Sequence, residues 1–148
     1  MTGLLGPPVH PYRELQRRYG IKANWEVEPD LPMVTTDAGK LEAIYANLIV
    51  NAFKYTSRGE VRIGLKSLPA SKVVEFAVAD TGEGISSDEL AKVFDQFHWV
   101  HGKGSVEGVG LGLTIVKKYL EFLHGSIRVE SEPRRGSTFR VRVPIKLT

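Results

Sequence analysis

The stretch KLEAIYANLIVNAFKY, Lys40 to Tyr55, leaves the chain least freedom. At about 100° per residue, Leu41, Tyr45, Leu48, Ile49, Ala52 and Phe53 cover one broad arc of a helix, which has to face a sheet. Lys40, Asn47, Asn51 and Lys54 form a narrow polar line on the other side. Its flanks, Ala43, Ala46 and Val50 on one hand and Ile44 and Tyr55 on the other, are not polar. Asparagine is a poor helix former, so stability gives no reason to place two of them mid-helix.

Two readings fit that line. It is a solvent face that happens to hold two asparagines, or its carboxamides and ammonium line a cleft beside a metal–phosphate group. An asparagine oxygen ligates Mg²⁺ without adding negative charge beside a polyphosphate, and lysine supplies a point charge for phosphate oxygens.

The rest of the chain supplies the sheet. Residues 22–28, 33–36, 61–67 and 73–80 read as strands, and SIRVESE and STFRVRVPI as a closing hairpin. In the last strand Phe139, Val141, Val143 and Ile145 point one way while Arg140 and Arg142 point the other. Thr36 or Asp37 caps the long helix, and Ser86 or Ser87 caps a shorter one to about Phe94. LGLTIVKKYLEFLHG is helical, with Gly125 as the stop. Pro11 opens a short helix to Tyr19, ended by Gly20. The expected fold is α+β, a two-layer sandwich of one mixed, mostly antiparallel sheet with helices on one face. Residues 1–20 read as a tail or interdomain linker remnant with a short helix, and 21–148 as the domain.

Composition excludes several classes. The 148 residues suffice for one domain with a real core. No apolar run approaches the roughly 18 residues a membrane span needs. There is no cysteine, hence no disulfide and no thiolate metal site, which fits a reducing compartment. Net charge is +3 with scattered basic residues, and no basic patch carries interleaved stacking aromatics, so nucleic acid is not an expected partner.

Many of the glycines fall in two clusters. VADTGEGI sets Asp80 at a strand end, with Gly82 and Gly84 in a tight loop. A carboxylate there accepts from an exocyclic amine while glycines admit a flat ring, or both serve turn chemistry alone. GVGLGLTIVKK puts Gly108, Gly110 and Gly112 around a helix start, where open backbone N–H groups suit an anion. No strand leads into this G-x-G, so a dinucleotide fold is not indicated, and no G-K-[ST] marks a P-loop.

NLIVNAFKY, DTGEGI, FDQF, GVGLGL and GSTF, in that order and spacing, resemble the N box, glycine boxes and phenylalanine box of sensor histidine kinases. The resemblance is to their ATP-binding catalytic domain, of the Bergerat-fold ATPase superfamily, and runs from about Lys22 to Ile145. It implies ATP and Mg²⁺ held between helices under a lid. By motif match Asn51 would ligate Mg²⁺ with Asn47 beside it, Lys54 would reach phosphate, and Tyr55 would lie along the nucleotide. Asp80 would accept the adenine amine, and Gly82, Gly84 and Ile85 would shape the base pocket. Gly108, Gly110, Leu111, Gly112 and Leu113 would clasp the phosphates, and Thr138 would close the pocket near the base through a water shared with Asp80. Phe94 and Phe97 would root the lid, or belong simply to the core.

The resemblance also implies a reaction. Hydrolytic branches of the superfamily carry a glutamate one turn before the metal-binding asparagine. Here that place holds Asn47, whose amide takes no proton at neutral pH, so no residue is expected in a general-base role. ATP would await a histidine imidazole on a partner helical hairpin, dimeric in a parent kinase, with a response-regulator receiver domain as the next partner. None of the chain's own histidines fits that acceptor role: His10 lies among prolines, His98 and His101 in a loop, and His124 at a helix end. In the lid, Lys103 either reaches the γ-phosphate or only keeps the loop wet, and Trp99 offers a contact for partner helices. A nucleotide-sensing module without phosphotransfer is the alternative function. A cytoplasmic location without membrane contact is expected for this domain, whether or not a parent protein is anchored.

Overall fold

In the computed structural model, the structure describes residues 2–3, 16–29, 31, 34–56, 58–68, 70, 72–82, 109–132 and 134–144. The order is β1 (Thr2–Gly3), β2 (Lys22–Val27), β3 (Val34–Thr35), α1 (Ala38–Tyr55), β4 (Glu60–Leu68), β5 (Val73–Asp80), α2 (Val109–Leu123), β6 (Ser126–Glu132) and β7 (Gly136–Pro144). Residues 16–19 are helical as well, and Gly20 closes them at φ +65° with its N–H on the Gln16 carbonyl. The helix expected over 86–94 and the lid residues Phe94, Phe97, His98, Trp99, His101 and Lys103 lie outside the described residues, as do His10, Pro11 and Ile145.

Five strands form one mixed sheet in the order β2-β4-β5-β7-β6, parallel only at β2–β4. Alternation sorts its residues by face. Val61, Ile63 and Leu65, Val74, Phe76 and Val78, and Phe139, Val141 and Val143 are buried under the helices. The predicted arc of α1 meets them with every member buried, and Tyr45 stacks on Phe76 with ring centroids 4.3 Å apart. Each such aliphatic or aromatic side chain contributes about 1.5–3 kcal/mol by leaving water. α2 adds Leu113, Val116 and Leu120 to the same core and packs against α1. The two-layer sandwich with helices on one face is as expected.

Asp37, not Thr36, caps α1. Its carboxylate accepts the Lys40 N–H at 3.2 Å and the Lys40 ammonium at 2.9 Å, and these bonds hold its pKa below the usual carboxylate value. Two expectations change. The first residues, read as a tail, pair with β3, Thr2 opposite Thr35. The stop of α2 is His124 rather than Gly125: His124 takes φ +60°, and the Gly125 N–H bonds the Leu120 carbonyl at 2.8 Å. Gly125 answers to packing instead, since a Cβ there would stand 2.7 Å from the Arg142 carbonyl oxygen.

Two other glycines decide how the strands meet. Gly59 (φ +112°) and Gly136 (φ +109°) approach the Asp80–Thr81 corner from its two sides. A Cβ on Gly59 would lie 1.9 Å from the Thr81 hydroxyl, and one on Gly136 would lie 1.9 Å from the Asp80 carbonyl oxygen. Gly136→Ala is therefore expected to cost about 2–3 kcal/mol, combining strain at positive φ with backbone displacement. Thermal unfolding checks it; a midpoint within a degree of wild type contradicts this packing.

Candidate functional site

The strand register brings the sequence-predicted residues to one end of the sandwich. Asp80, last in β5, stands opposite Val61 at the start of β4 and Ser137 near the start of β7. The C-terminus of α1 enters β4 through a short loop, so the turns carrying Asn47, Asn51, Lys54 and Tyr55 end beside Asp80. Thr81 fixes that approach. Its N–H bonds the Glu60 carbonyl at 3.2 Å, and its hydroxyl accepts the Glu60 N–H at 3.0 Å. The tight turn after α2 sends that helix back along β6, and 15 residues span roughly 22 Å. Val109, Gly110, Leu111 and Gly112, the first turn of α2, thus return to the end occupied by Asp80.

Within the polar line of α1, Asn51 is not on a solvent face. Asn51 is only 8% exposed, and its Nδ2 is buried with no hydrogen-bond partner. An orphaned buried amide costs about 1–3 kcal/mol, which nothing in the described protein returns. Asn47, one turn earlier, donates its Nδ2 to the Ala43 carbonyl at 2.8 Å. That bond fixes the orientation of the amide and leaves Oδ1 as its uncommitted atom. Lys40 does not share the line's chemistry: it is bound to Asp37 and covers the Phe122 ring at 4.3 Å.

At the other side of the site, Asp80 Oδ1 accepts the Gly82 N–H at 2.9 Å. Burial pushes this carboxyl up to about 6, against the pull of the Gly82 and Ser137 backbone N–H groups. The residue sharing its face of the sheet is Ser137, not Thr138. Thr138 pairs with Ala79 and points away with Arg140, so it cannot close a pocket over Asp80. Ser137 is 6% exposed, and its hydroxyl lies 2.8 Å from that of Ser131. Either hydroxyl can be the donor between them, and that of Ser131 also reaches the Gly136 carbonyl at 3.0 Å. Asp80 and Ser137 therefore set a carboxylate and a hydroxyl oxygen side by side, both able to accept from a ligand's donors.

The Leu113 side chain is 3% exposed and belongs to the core, which leaves only its backbone near an anion. Gly84, Ile85 and Gly108 lie outside the described residues. Thr81, Gly59, Gly136 and Ser137 were not singled out from the sequence. No group of three His, Cys, Asp or Glu side chains suited to a metal occurs among the described residues, so a cation here would rest on carboxamides and on its own anionic ligand. The orphaned Asn51 amide and the free Asn47 oxygen fit that donor set.

Comparison with known proteins gives the family and agrees with the fold. Residues 36–147 match the model of the histidine kinase-, DNA gyrase B-, and HSP90-like ATPase family. The chain is 34% identical to the sensor histidine kinase AtsR of Burkholderia thailandensis over 97% of its own length, and 37% identical to the sensor histidine kinase RcsC of Escherichia coli over 80%. It spans only 25% of the former and 13% of the latter. Among solved structures, full-length ShkA in complex with AMPPNP superposes at TM-score 0.82 with 30% identity, covering 95% of this chain and 29% of that one. The mycobacterial sensor histidine kinase MprB gives 0.75 with 26% identity and covers 94% and 93%.

The raised pKa of Asp80 has a stability consequence. The folded state holds the proton more tightly than the unfolded state, whose carboxyl titrates near 3.8. This contribution is complete below 3.8 and is lost as pH rises through about 6, a change of about 2–3 kcal/mol. The ligand-free protein is expected to melt higher at pH 5 than at pH 7.5, with Asp80→Asn flattening that gradient. An unchanged gradient in the variant excludes Asp80 as its source.

Proposed function

Because the chain belongs to the histidine kinase-, DNA gyrase B-, and HSP90-like ATPase family, we propose that it is the ATP-binding catalytic domain of a sensor histidine kinase, passing the γ-phosphate of Mg-ATP to a histidine on a separate helical hairpin. The observation that carries this reading is the pair of asparagines on α1, one orphaned and one with a free oxygen, on the helix that leads into the strand paired with Asp80. AtsR and RcsC are named sensor histidine kinases, and the ShkA neighbour is bound to AMPPNP.

In this reading Asn51 ligates Mg²⁺ after its amide turns its oxygen to the ion, and Asn47 stands beside it. Lys54 meets phosphate and Tyr55 lies along the nucleotide. The first turn of α2, with Gly108, Gly110, Leu111, Gly112 and the backbone of Leu113, receives the phosphates on open N–H groups. Asp80 accepts the adenine exocyclic amine, Ser137 offers a second acceptor near it, and Gly82, Gly84 and Ile85 shape the base pocket. Mg²⁺ supplies charge neutralisation on the polyphosphate; the chain's own groups orient it. Asn47 cannot take a proton from water, so the bound nucleotide stays intact until an imidazole nitrogen stands in line with the γ-phosphorus. The receiver domain of a response regulator is the acceptor that follows.

Two measurements test the reading. Asn51→Ala and Asp80→Ala are each expected to abolish ATP binding in calorimetry with magnesium while leaving a cooperative melt; binding at wild-type strength by either variant removes the assignment. With its cognate histidine-bearing hairpin and labelled ATP, the chain is expected to yield acid-labile phosphate on the hairpin. Nucleotide binding without transfer leaves a sensing module instead, and turnover of ATP alone on the order of 1 s⁻¹ contradicts the role given to Asn47.

A further inference from the structure

The sheet face turned away from the helices is used by none of this chemistry. At its β6 edge the strand pairs with β7 on one side, and no described strand borders the other. On the outer face Arg128 stands directly opposite Arg140, with Arg142 on the diagonal across from Ser126. Like charges in register on neighbouring strands repel and weaken a sheet, so stability gives no reason for them.

The acids of this face reach only two of the three arginines. Glu75, 4% exposed, is already shared by Arg142 at 3.0 Å, Arg140 at 3.5 Å and Lys66 at 3.8 Å. Glu130 meets Arg140 at 3.4 Å. Arg128 has no ion-pair partner among the described residues. Arg128, Arg140 and Arg142, with Ser126 and Ile127, line a cavity of about 180 Å³ that opens at the strand edge. A guanidinium fork binds a carboxylate through two parallel hydrogen bonds, and a cavity of this size admits such a group.

The pattern along β6 discriminates between anionic partners. Beyond Arg128 the outer face turns acidic at Glu130 and Glu132, and Ser126, Thr138 and Pro144 complete it without an aromatic ring. A uniform polyanion following the strand would run from arginines onto carboxylates with no platform for stacking. A polypeptide can change charge along its length and can also satisfy the free N–H and C=O groups of an edge strand.

We propose that the β6 edge docks an extended acidic segment of a partner protein, which adds to the sheet as a strand and places a carboxylate in the Arg128–Arg140–Arg142 cavity. This surface lies apart from Asn51 and Asp80 and does not depend on the nucleotide reading.

The test is a titration of the ¹⁵N-labelled chain with a short synthetic peptide, aspartate alternating with threonine in one half and serine with threonine in the other, followed by backbone amide shifts. Shifts are expected along 126–132 and at Arg140 and Arg142, weakened at least tenfold in affinity by Arg128→Glu. That substitution breaks no ion pair, and unchanged core resonances of Val61 and Val78 establish that the variant is folded. A lysine–threonine peptide is expected to cause no shift. The proposal is overturned if millimolar acidic peptide shifts nothing on β6, if Arg128→Glu binds it equally well, or if an oligothymidylate of equal charge binds the same residues more tightly.

Discussion

The corner at Asp80 and Thr81 holds three chain segments in one place. Thr81 bonds the Glu60 backbone through both its N–H and its hydroxyl, and Gly59 and Gly136 come close enough that no side chain fits between. This contact ties the start of β4, the end of β5 and the start of β7 together. Without it, Asn51, Asp80 and Ser137 would sit on elements free to drift by more than the few tenths of an ångström that hydrogen-bond geometry allows. A site for a small ligand depends on such fixation, because affinity gained from a polar contact is lost when its partner must first be ordered.

That precision is stored against stability. The site keeps a buried amide without a partner and a carboxyl whose burial opposes its charge, and both are terms a folded chain would shed if folding were the only demand. They are tolerated because the apolar arc of α1 and the inner face of the sheet form one continuous core. The Asn51 carboxamide lies on the helix whose other side is fully buried, so the core that stabilises the fold also prevents the amide from rotating out to water. The same division appears on the outer face, where Arg128 opposes Arg140 across two strands that the core holds in register.

The sequence was informative where one element carried the signal. The arc from Leu41 to Phe53, the strand pair over 61–67 and 73–80, and the closing hairpin are visible in periodicity because each buries one face. Asn51 was legible for the converse reason: an asparagine on a narrow stripe with apolar flanks is costly unless it has work to do. Thr138 was misassigned although the needed signal was present. The alternation that puts Phe139, Val141 and Val143 inward also puts Ser137 inward and Thr138 outward, and strand parity outweighs the position of a residue within a motif. His124 was placed at the helix end, but the left-handed stop was given to Gly125 because glycine is the commoner residue there.

Local pattern alone therefore determined which of the longer described segments are helices and strands, which faces they bury and which helix carries the unusual amides, since each depends only on residues a few positions apart. Tertiary structure decided what meets at the corner: that Gly59 and Gly136 crowd residues 80 and 81, that residue 137 stands opposite Asp80, and that three arginines converge on one edge. Those relations depend on strand order and register across the sheet, which are set by the packing of the whole core and leave no mark within any single stretch of chain.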